Sequence, residues 1–263
     1  MDIWRKDVTR SLVVSDSAYL LNGIIRVCAE LCPPGVEIAC SNDAPPDCGR
    51  LAAQHGLKCY DLLRDEAAIL SRFTVLIGVH CLQILPPSLV RQLRCINFHP
   101  GYNPYNRGWF PHVFSMINGL PAGITIHEMD ERIDHGPVIY REQLPIHPYE
   151  TSKDFYERLV ARELDLLKEF LPVLLTGNYE AKPLESEGNY NSRSAFESAK
   201  HIDPDRTWVA RDFLNFLRAL SYEGYRNAYV VDPQTREKYY LRLVIEREGE
   251  VSRPGGAPFA PLH

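Results

Sequence analysis

Three residues between positions 97 and 134 have the types and the spacing for acyl chemistry: Asn97, His99 and Asp134. Cys95 to His99 reads as a short strand, and alternation along a strand places Asn97 and His99 on one side. Pro100-Gly101 ends that strand. An amide and an imidazole thus project together from a strand end, where open α/β sheets place ligands. Ala122 to Met129 reads as a second strand. Asp134 follows on a loop that the turn His135-Gly136-Pro137 sends back toward the sheet. A carboxylate beside an imidazole raises its pKa and fixes its orientation. An amide N–H stabilises negative charge developing on oxygen. Asn97, His99 and Asp134 therefore read as oxyanion donor, proton carrier and orienter, a set suited to attack of a neutral nucleophile on a carbonyl. The alternative is local: Asn and His tying down a loop, and Asp shaping a turn. The intervening loop, Tyr102 to Trp109, is long, polar and aromatic with no hydrophobic period, which favours the functional reading.

The pattern N-x-H-P at Asn97 to Pro100, the P-Y-x-R-G loop at Pro104 to Gly108, the G-I-T-x-H strand at Gly123 to His127 and D-x-G-P at Asp134 to Pro137 resembles the formyltransferases that use N10-formyltetrahydrofolate. The variant around Gly101-Tyr102-Asn103-Pro104 looks most like the branch acting on nucleotide-linked amino sugars. It departs from the S-L-L-P that many members carry, which argues against the tRNA-directed branch. The resemblance implies that Asn97, His99 and Asp134 are the catalytic set. It implies formyl transfer to the amine of a dTDP-linked amino-dideoxy sugar, dTDP-4-amino-4,6-dideoxyglucose first and a 3-amino-3,6-dideoxyhexose second, for O-antigen or other surface glycans. Two other classes stay open: a hydrolase releasing formate from the same donor, and a non-catalytic nucleotide-sugar binder.

Small residues at the end of a buried strand let a planar ring approach backbone groups, and flat heteroaromatics are held by main-chain groups in apolar slots. Gly78 to Pro86 fits that description. The resemblance places the pterin there, against His80, Cys81, Leu82, Gln83 and Ile84, with Asp130 counted among the cofactor contacts. Substrate contacts are expected from Asp16, Tyr102, Asn103, Arg107, Trp109, Tyr190, Asn191 and Tyr222. Several have plain alternatives. Asp16 also reads as a helix cap. Arg107 reads either as a bidentate anion clamp or as a loop brace on backbone carbonyls. Trp109 suits a core as well as a pocket wall. Gly188 to Ser194, which holds Tyr190 and Asn191, also reads as a linker. Tyr222 stacks on a base or simply packs.

The elements that must position these groups follow from hydrophobic period. Strands are expected at 11–14, 36–40, 58–60, 74–79, 95–99, 122–129 and 138–144, and helices at 19–31, 50–55, 62–73, 110–118, 155–175 and 207–220. The alternation gives an α/β fold, a Rossmann-like formyltransferase core on a mostly parallel sheet. No G-x-G-x-x-G is present. The strand at 74–79 also reads as running into a plain loop ahead of Pro86-Pro87. The charged run Glu157-Arg158 and Arg162-Glu163 is expected on a solvated helix face. Composition shifts after Pro183. The chain divides into an N-terminal catalytic domain (1–182), a C-terminal helix and β-hairpin region (183–250, hairpin over 228–245) and a loose tail (251–263).

The chain has 263 residues, 45% hydrophobic and 24% charged, with a net charge of −5, so it is globular and has no basic domain to grip nucleic acid. Its 7 cysteines are odd in number and lie mostly in apolar runs, which favours free thiols in a reducing compartment over disulfides or a metal site. Met1 to Arg10 lacks the apolar core of a signal peptide, and no apolar run approaches membrane-spanning length. The expectation is a cytoplasmic protein that needs no metal or membrane, with the exposed hairpin pairing two copies as a homodimer.

Overall fold

The computed structural model describes residues 10–246 and Glu248; the start of the chain and the expected tail at 251–263 lie outside them. Buried aliphatic runs make the sheet. In chain order the core elements are β1 (Ser11–Val14), α1 (Ala18–Leu31), β2 (Val36–Ser41), α2 (Pro46–Gln54), β3 (Lys58–Tyr60), α3 (Glu66–Arg72), β4 (Val75–Val79), α4 (Pro87–Gln92) and β5 (Arg94–His99). The short β6 (Arg107–Gly108), α5 (Pro111–Asn118), β7 (Gly123–Glu128), β8 (Val138–Gln143) and α6 (Ser152–Thr176) follow. After them come β9 (Tyr190–Asn191), α7 (Arg193–Ala199), α8 (Ala210–Leu220), β10 (Tyr229–Val231) and β11 (Lys238–Tyr240).

Seven strands form one sheet in the order β3-β2-β1-β4-β5-β7-β8. The first five run parallel; β7 and β8 are antiparallel additions. The expected α/β class and mostly parallel sheet are borne out. β1 and β4 are buried at every position because helices cover both faces. Val13, Ile77, Ile96 and Phe98 join one core with α1 and α6, whereas Leu12, Val14 and Leu76 join a second with α3 and α4. Phe196, Phe216, Leu220 and Ala228 of the C-terminal elements belong to the first of these cores.

The strand order reverses between β1 and β4, and the crevice at such a switch point is where this architecture binds ligands. Here Asp16 fills its inner end. The carboxylate accepts from Ser41 N (2.7 Å), Ser41 Oγ (2.7 Å) and Leu82 N (2.6 Å), and the residue is 3% exposed. The expected sugar contact at Asp16 is therefore corrected: both oxygens are spent on tying β2 and the segment after β4 to β1. The cap of α1 is Ser17, which accepts from Leu20 N.

Other expectations also change. The loop ahead of Pro86-Pro87 is followed by α4, a helix not expected from the sequence, which Pro87 opens because a proline at the first helical position gives up an N–H that has no partner there. Gly188 to Ser194 is no linker: Tyr190 and Asn191 pair in parallel with Arg107 and Gly108, and Ser192 caps α7. On α6, Arg158 bonds Glu150 and Arg162 bonds Glu142, but Glu163 is 0% exposed, so the run is not a solvated face. The hairpin is shorter than expected, with Tyr229 opposite Tyr240.

Replacing Asp16 by Ala leaves three donors without their acceptor, two of them on Ser41 at a buried strand end. Hydrogen bonds to a charged group contribute roughly 1.5–3 kcal/mol each, but they are not additive, so the expected loss is about 3 kcal/mol. Urea unfolding of Asp16→Ala beside the wild type measures it.

Candidate active site

Alternation along β5 sends Ile96 and Phe98 into the core, both 0% exposed, and leaves Asn97 and His99 at the sheet's carboxyl end. Asp134 reaches them from the loop after β7. Its Oδ1 accepts from Asn97 Nδ2 at 3.0 Å, and its Oδ2 lies 3.3 Å from His99 Nδ1. The backbone N–H of Gly108 adds a third partner, 3.0 Å from Oδ2. So the three residues read from the sequence meet at one carboxylate.

That loop conformation is demanding. Asp134 sits at φ +49, a left-handed backbone that Asp tolerates better than most residues. Gly136 has no room for a Cβ, which would overlap the Glu128 carbonyl oxygen and crowd Asp130 N. The D-x-G-P turn thereby folds flat onto the end of β7.

The electrostatics define one protonation pattern. The side chain of His99 is 4% exposed and that of Asp134 is 11% exposed. Burial pulls the His99 imidazole down to about 4, with Asp134 opposing. For Asp134 burial pushes upward, but the His99 and His127 imidazoles and the Gly108 N–H outweigh it and hold the carboxyl below its usual range. Taken alone, the carboxylate would favour an imidazolium partner; enclosure wins at His99. The pair is then a carboxylate beside a neutral imidazole. A carboxylate only accepts, so Nδ1 of His99 carries the proton and Nε2 keeps a lone pair. Nε2 is buried with no partner among the described residues. A Cβ at Gly101 would overlap it, so glycine keeps its approach open.

The sequence reading missed β7's part in the site. His127 stands opposite Asn97 in the antiparallel register, with Nε2 3.4 Å from Asn97 Nδ2 and 3.5 Å from Asp134 Oδ1. Its Nδ1 donates to the Glu128 carbonyl at 2.7 Å. Thr125, two residues back on the same face, donates to Gly101 O at 2.7 Å and accepts from Asn103 N at 3.0 Å. Alternation in Gly123 to His127 would have paired Thr125 with His127; the register against β5 was the missing fact.

The loop residues divide into braces and faces. Arg107 is corrected as an anion clamp: its guanidinium donates to Ile133 O (3.0 Å) and Glu187 O (3.1 Å), the loop-brace alternative. Asn103 is 0% exposed and donates to Asp134 O at 2.8 Å, so it shapes the site rather than facing it. Asn191 donates to Asn106 Oδ1 at 3.1 Å. Tyr102 lies under the Arg141 guanidinium at 4.7 Å and Trp109 under that of Arg193 at 5.3 Å. Tyr190 is 46% exposed beside β6. Tyr222 is half-buried, its ring 6.3 Å from that of Tyr156, whose hydroxyl lies 3.1 Å from His80 Nδ1.

On the cofactor side, Gly78 borders Asn97, Met129 and Cys81 with no side chain of its own. Leu82 is 44% and Ile84 74% exposed, an apolar pair free to meet a ring. Gln83 turns inward, accepting from Leu62 N at 2.9 Å and donating to Asp61 at 3.2 Å. Burial pushes the Cys81 thiol well up, with the Asp16 charge adding to it. Asp130 accepts from Arg132 N and from His135 Nδ1, at 2.8 and 2.9 Å. A groove of about 540 Å³ lies elsewhere, between β8, the end of α6 and residues 178–185, and none of the three site residues lines it. Among the described residues no cluster of His, Cys, Asp and Glu is arranged to hold a metal, and all seven cysteines are unpaired.

Fold and site together define an α/β enzyme built for proton-assisted acyl transfer. The Formyl transferase family model matches residues 63–171 and the N-formyltransferase dimerization C-terminal domain matches 195–247. The dTDP-4-amino-4,6-dideoxyglucose formyltransferase of Mycobacterium bovis is 40% identical over 193 residues, 73% of this chain and 82% of its own. The solved sugar N-formyltransferase of a Shewanella species superimposes with a TM-score of 0.84 at 37% identity, covering 90% of this chain and 98% of its own. A 4-N formyltransferase from Francisella tularensis gives 0.84 at 32% identity, over 91% and 98%. The chain belongs to the formyltransferase family, in its sugar N-formyltransferase branch.

Two outcomes are expected. Asp134→Asn removes the acceptor that holds His99 in one tautomer, so kcat falls by about two to four orders of magnitude while KM for either substrate changes little. Steady-state kinetics check it. The second concerns stability. His99 near 4 and His112, pushed by burial to about 3, are both depressed from the unfolded value of about 6.5. Between about pH 6.5 and 4.5 the unfolded chain therefore binds protons that the folded one refuses. Stability is full above 6.5 and falls with pH by up to about 1.4 kcal/mol per unit for each histidine. The depressed carboxyls, Asp134 included, add their own losses only below about 4.5. Urea unfolding across that window, with His112→Phe flattening the slope, is the measurement.

Proposed function

We infer that this enzyme transfers the formyl group of N10-formyltetrahydrofolate to the amine of dTDP-4-amino-4,6-dideoxyglucose. The observation that carries the reading is the enclosed His99 Nε2, unpartnered and oriented by Asp134, in a chain 40% identical to an enzyme named for that substrate. An alkylammonium has no lone pair, so the amine must attack neutral. Its nitrogen bonds to the formyl carbon, and the carbonyl electrons move to oxygen. One N–H of Asn97 Nδ2 is spent on Asp134; the second, which lies toward His127 Nε2 at 3.4 Å, turns to that oxyanion, and one such donor is worth roughly 3 kcal/mol. His99 Nε2 takes the amine proton and returns it to the leaving N10 as the carbon–nitrogen bond to the folate breaks. The products are a formamide and tetrahydrofolate.

The donor's pterin fits against His80 to Ile84, where Gly78 leaves space and Leu82 and Ile84 offer apolar surface. The exposed ring of Tyr190 and the half-buried rings of Trp109 and Tyr222 are assigned to the sugar nucleotide. The 3-amino isomer is the second substrate to try. A solved sugar 3N-formyl transferase shares this fold at 16% identity, which supports the fold alone. We assign the formamido sugar to surface-glycan assembly and the enzyme to the cytoplasm; no helix among the described residues is long and apolar enough to cross a membrane.

Two copies pair through the C-terminal hairpin. Support comes from the match of 195–247 to a dimerization domain and from Tyr225, Tyr239 and Tyr240, which are 67%, 51% and 46% exposed. Aromatic surface on an open strand edge calls for a partner.

Incubation with the donor and each amino-sugar isomer, followed by mass spectrometry, is expected to add one formyl group to the 4-amino sugar. Tetrahydrofolate release without a formylated sugar would indicate the hydrolase instead. In sedimentation, the chain is expected at twice its monomer mass, and Tyr239→Lys with Tyr240→Lys at the monomer mass; a wild-type monomer would remove the pairing.

A further inference from the structure

Glu163 is an expensive residue where it stands. Phe155, Leu159, Glu163 and Leu167 form one row at i+4 spacing on α6, and all four are 0% exposed. A carboxylate in such a row costs folding energy, and a well-packed apolar residue would serve the core better. Among the described residues neither of its oxygens meets an aligned hydrogen-bond donor, and its close ionic neighbour is His80 Nε2, 2.7 Å from Oε2. The side chain of His80 is itself 10% exposed, and its Nδ1 lies 3.1 Å from the Tyr156 hydroxyl. So two residues of α6, two turns apart with Val160 between them, grip the ring from both edges.

The backbone at His80 explains the grip. It stands at φ +55, a left-handed conformation that a residue with a Cβ holds only under restraint. That turn redirects the chain from β4 into His80 to Ile84. Asp16 holds the other side, donating its N–H to His80 O at 3.1 Å and accepting from Leu82 N. With both sides fixed, Leu82 and Ile84 stay outward. We propose that Glu163 is a positioning residue for the formyl donor, acting through the His80 imidazole to fix the left-handed turn that presents the apolar face of His80 to Ile84. The proposal rests on the reading of that segment as the pterin cradle. Glu163 itself touches neither substrate.

The test compares Glu163→Met, close in volume but apolar, with Glu163→Gln, whose amide oxygen keeps an acceptor beside His80. The Met variant is expected to raise KM for N10-formyltetrahydrofolate about tenfold, with KM for the amino sugar and kcat within about twofold and the melting temperature unchanged or higher. Gln is expected to restore the donor KM to near the wild-type value. If Met yields no folded protein, Glu163→Asp, one methylene short of His80, takes its place with the same expected split. A donor KM unchanged in Met overturns the proposal, as does a loss spread equally over both substrates and stability. Leu82→Asp separates the two layers. If it leaves the donor KM unchanged, the cradle reading fails and the proposal with it. If it raises the donor KM while Glu163→Met does not, only the positioning role is lost.

Discussion

The carboxylate of Asp134 stands nine-tenths enclosed, and a charge so placed persists only where donors surround it. Those donors come from Asn97 and His99 on β5 and from Gly108 on the loop beyond it, with the His127 imidazole of β7 beside them. They lie on two stretches of chain, and His127 on a third. Satisfying one carboxylate therefore fixes a strand end, an antiparallel neighbour and a loop at once. The left-handed backbone at Asp134, the glycine at 136 and the carbonyl brace from Arg107 exist to bring that carboxylate in. The same constraint makes the chemistry: with Nδ1 of His99 committed to Asp134, the lone pair on Nε2 has one direction in which to act.

Two other buried carboxylates repeat the device at lower stakes. Asp16 joins β1, β2 and the segment after β4, and Glu163 reaches that segment from α6. The sheet alone would fix where β4 and β5 end, but not where the chains go next, because loop backbone has no ladder to define it. Charged side chains with short, directional contacts supply that definition. Conformational order is thus concentrated at the carboxyl end of the sheet, where two substrates must meet within bonding distance.

How much of this was legible depended on the range of the interaction. Asn97 and His99 share a side because strand period is local, and Asp134's return was written in its Gly-Pro turn. The parallel sheet followed from short apolar runs alternating with helices. What failed needed contacts distant in sequence. Arg107 could not be decided between anion clamp and loop brace because Ile133 and Glu187 lie 26 and 80 residues away. Asp16 looked free because Ser41 and Leu82 are equally remote. His127 was passed over because its meaning lies in its register with Asn97. Glu163 is a different failure: the i+4 row of α6 placed it inside, and its charge outweighed that period in the reading.

Nitrogen-15 NMR of histidine-labelled enzyme at pH 7 reads the central claim directly, since the two imidazole nitrogens of His99 report where its single proton resides. The expected spectrum shows His99 neutral, protonated at Nδ1 and bare at Nε2, with the pattern lost in Asp134→Asn. A His99 protonated on Nε2, or on both nitrogens, would leave no base facing the amine and would contradict the account.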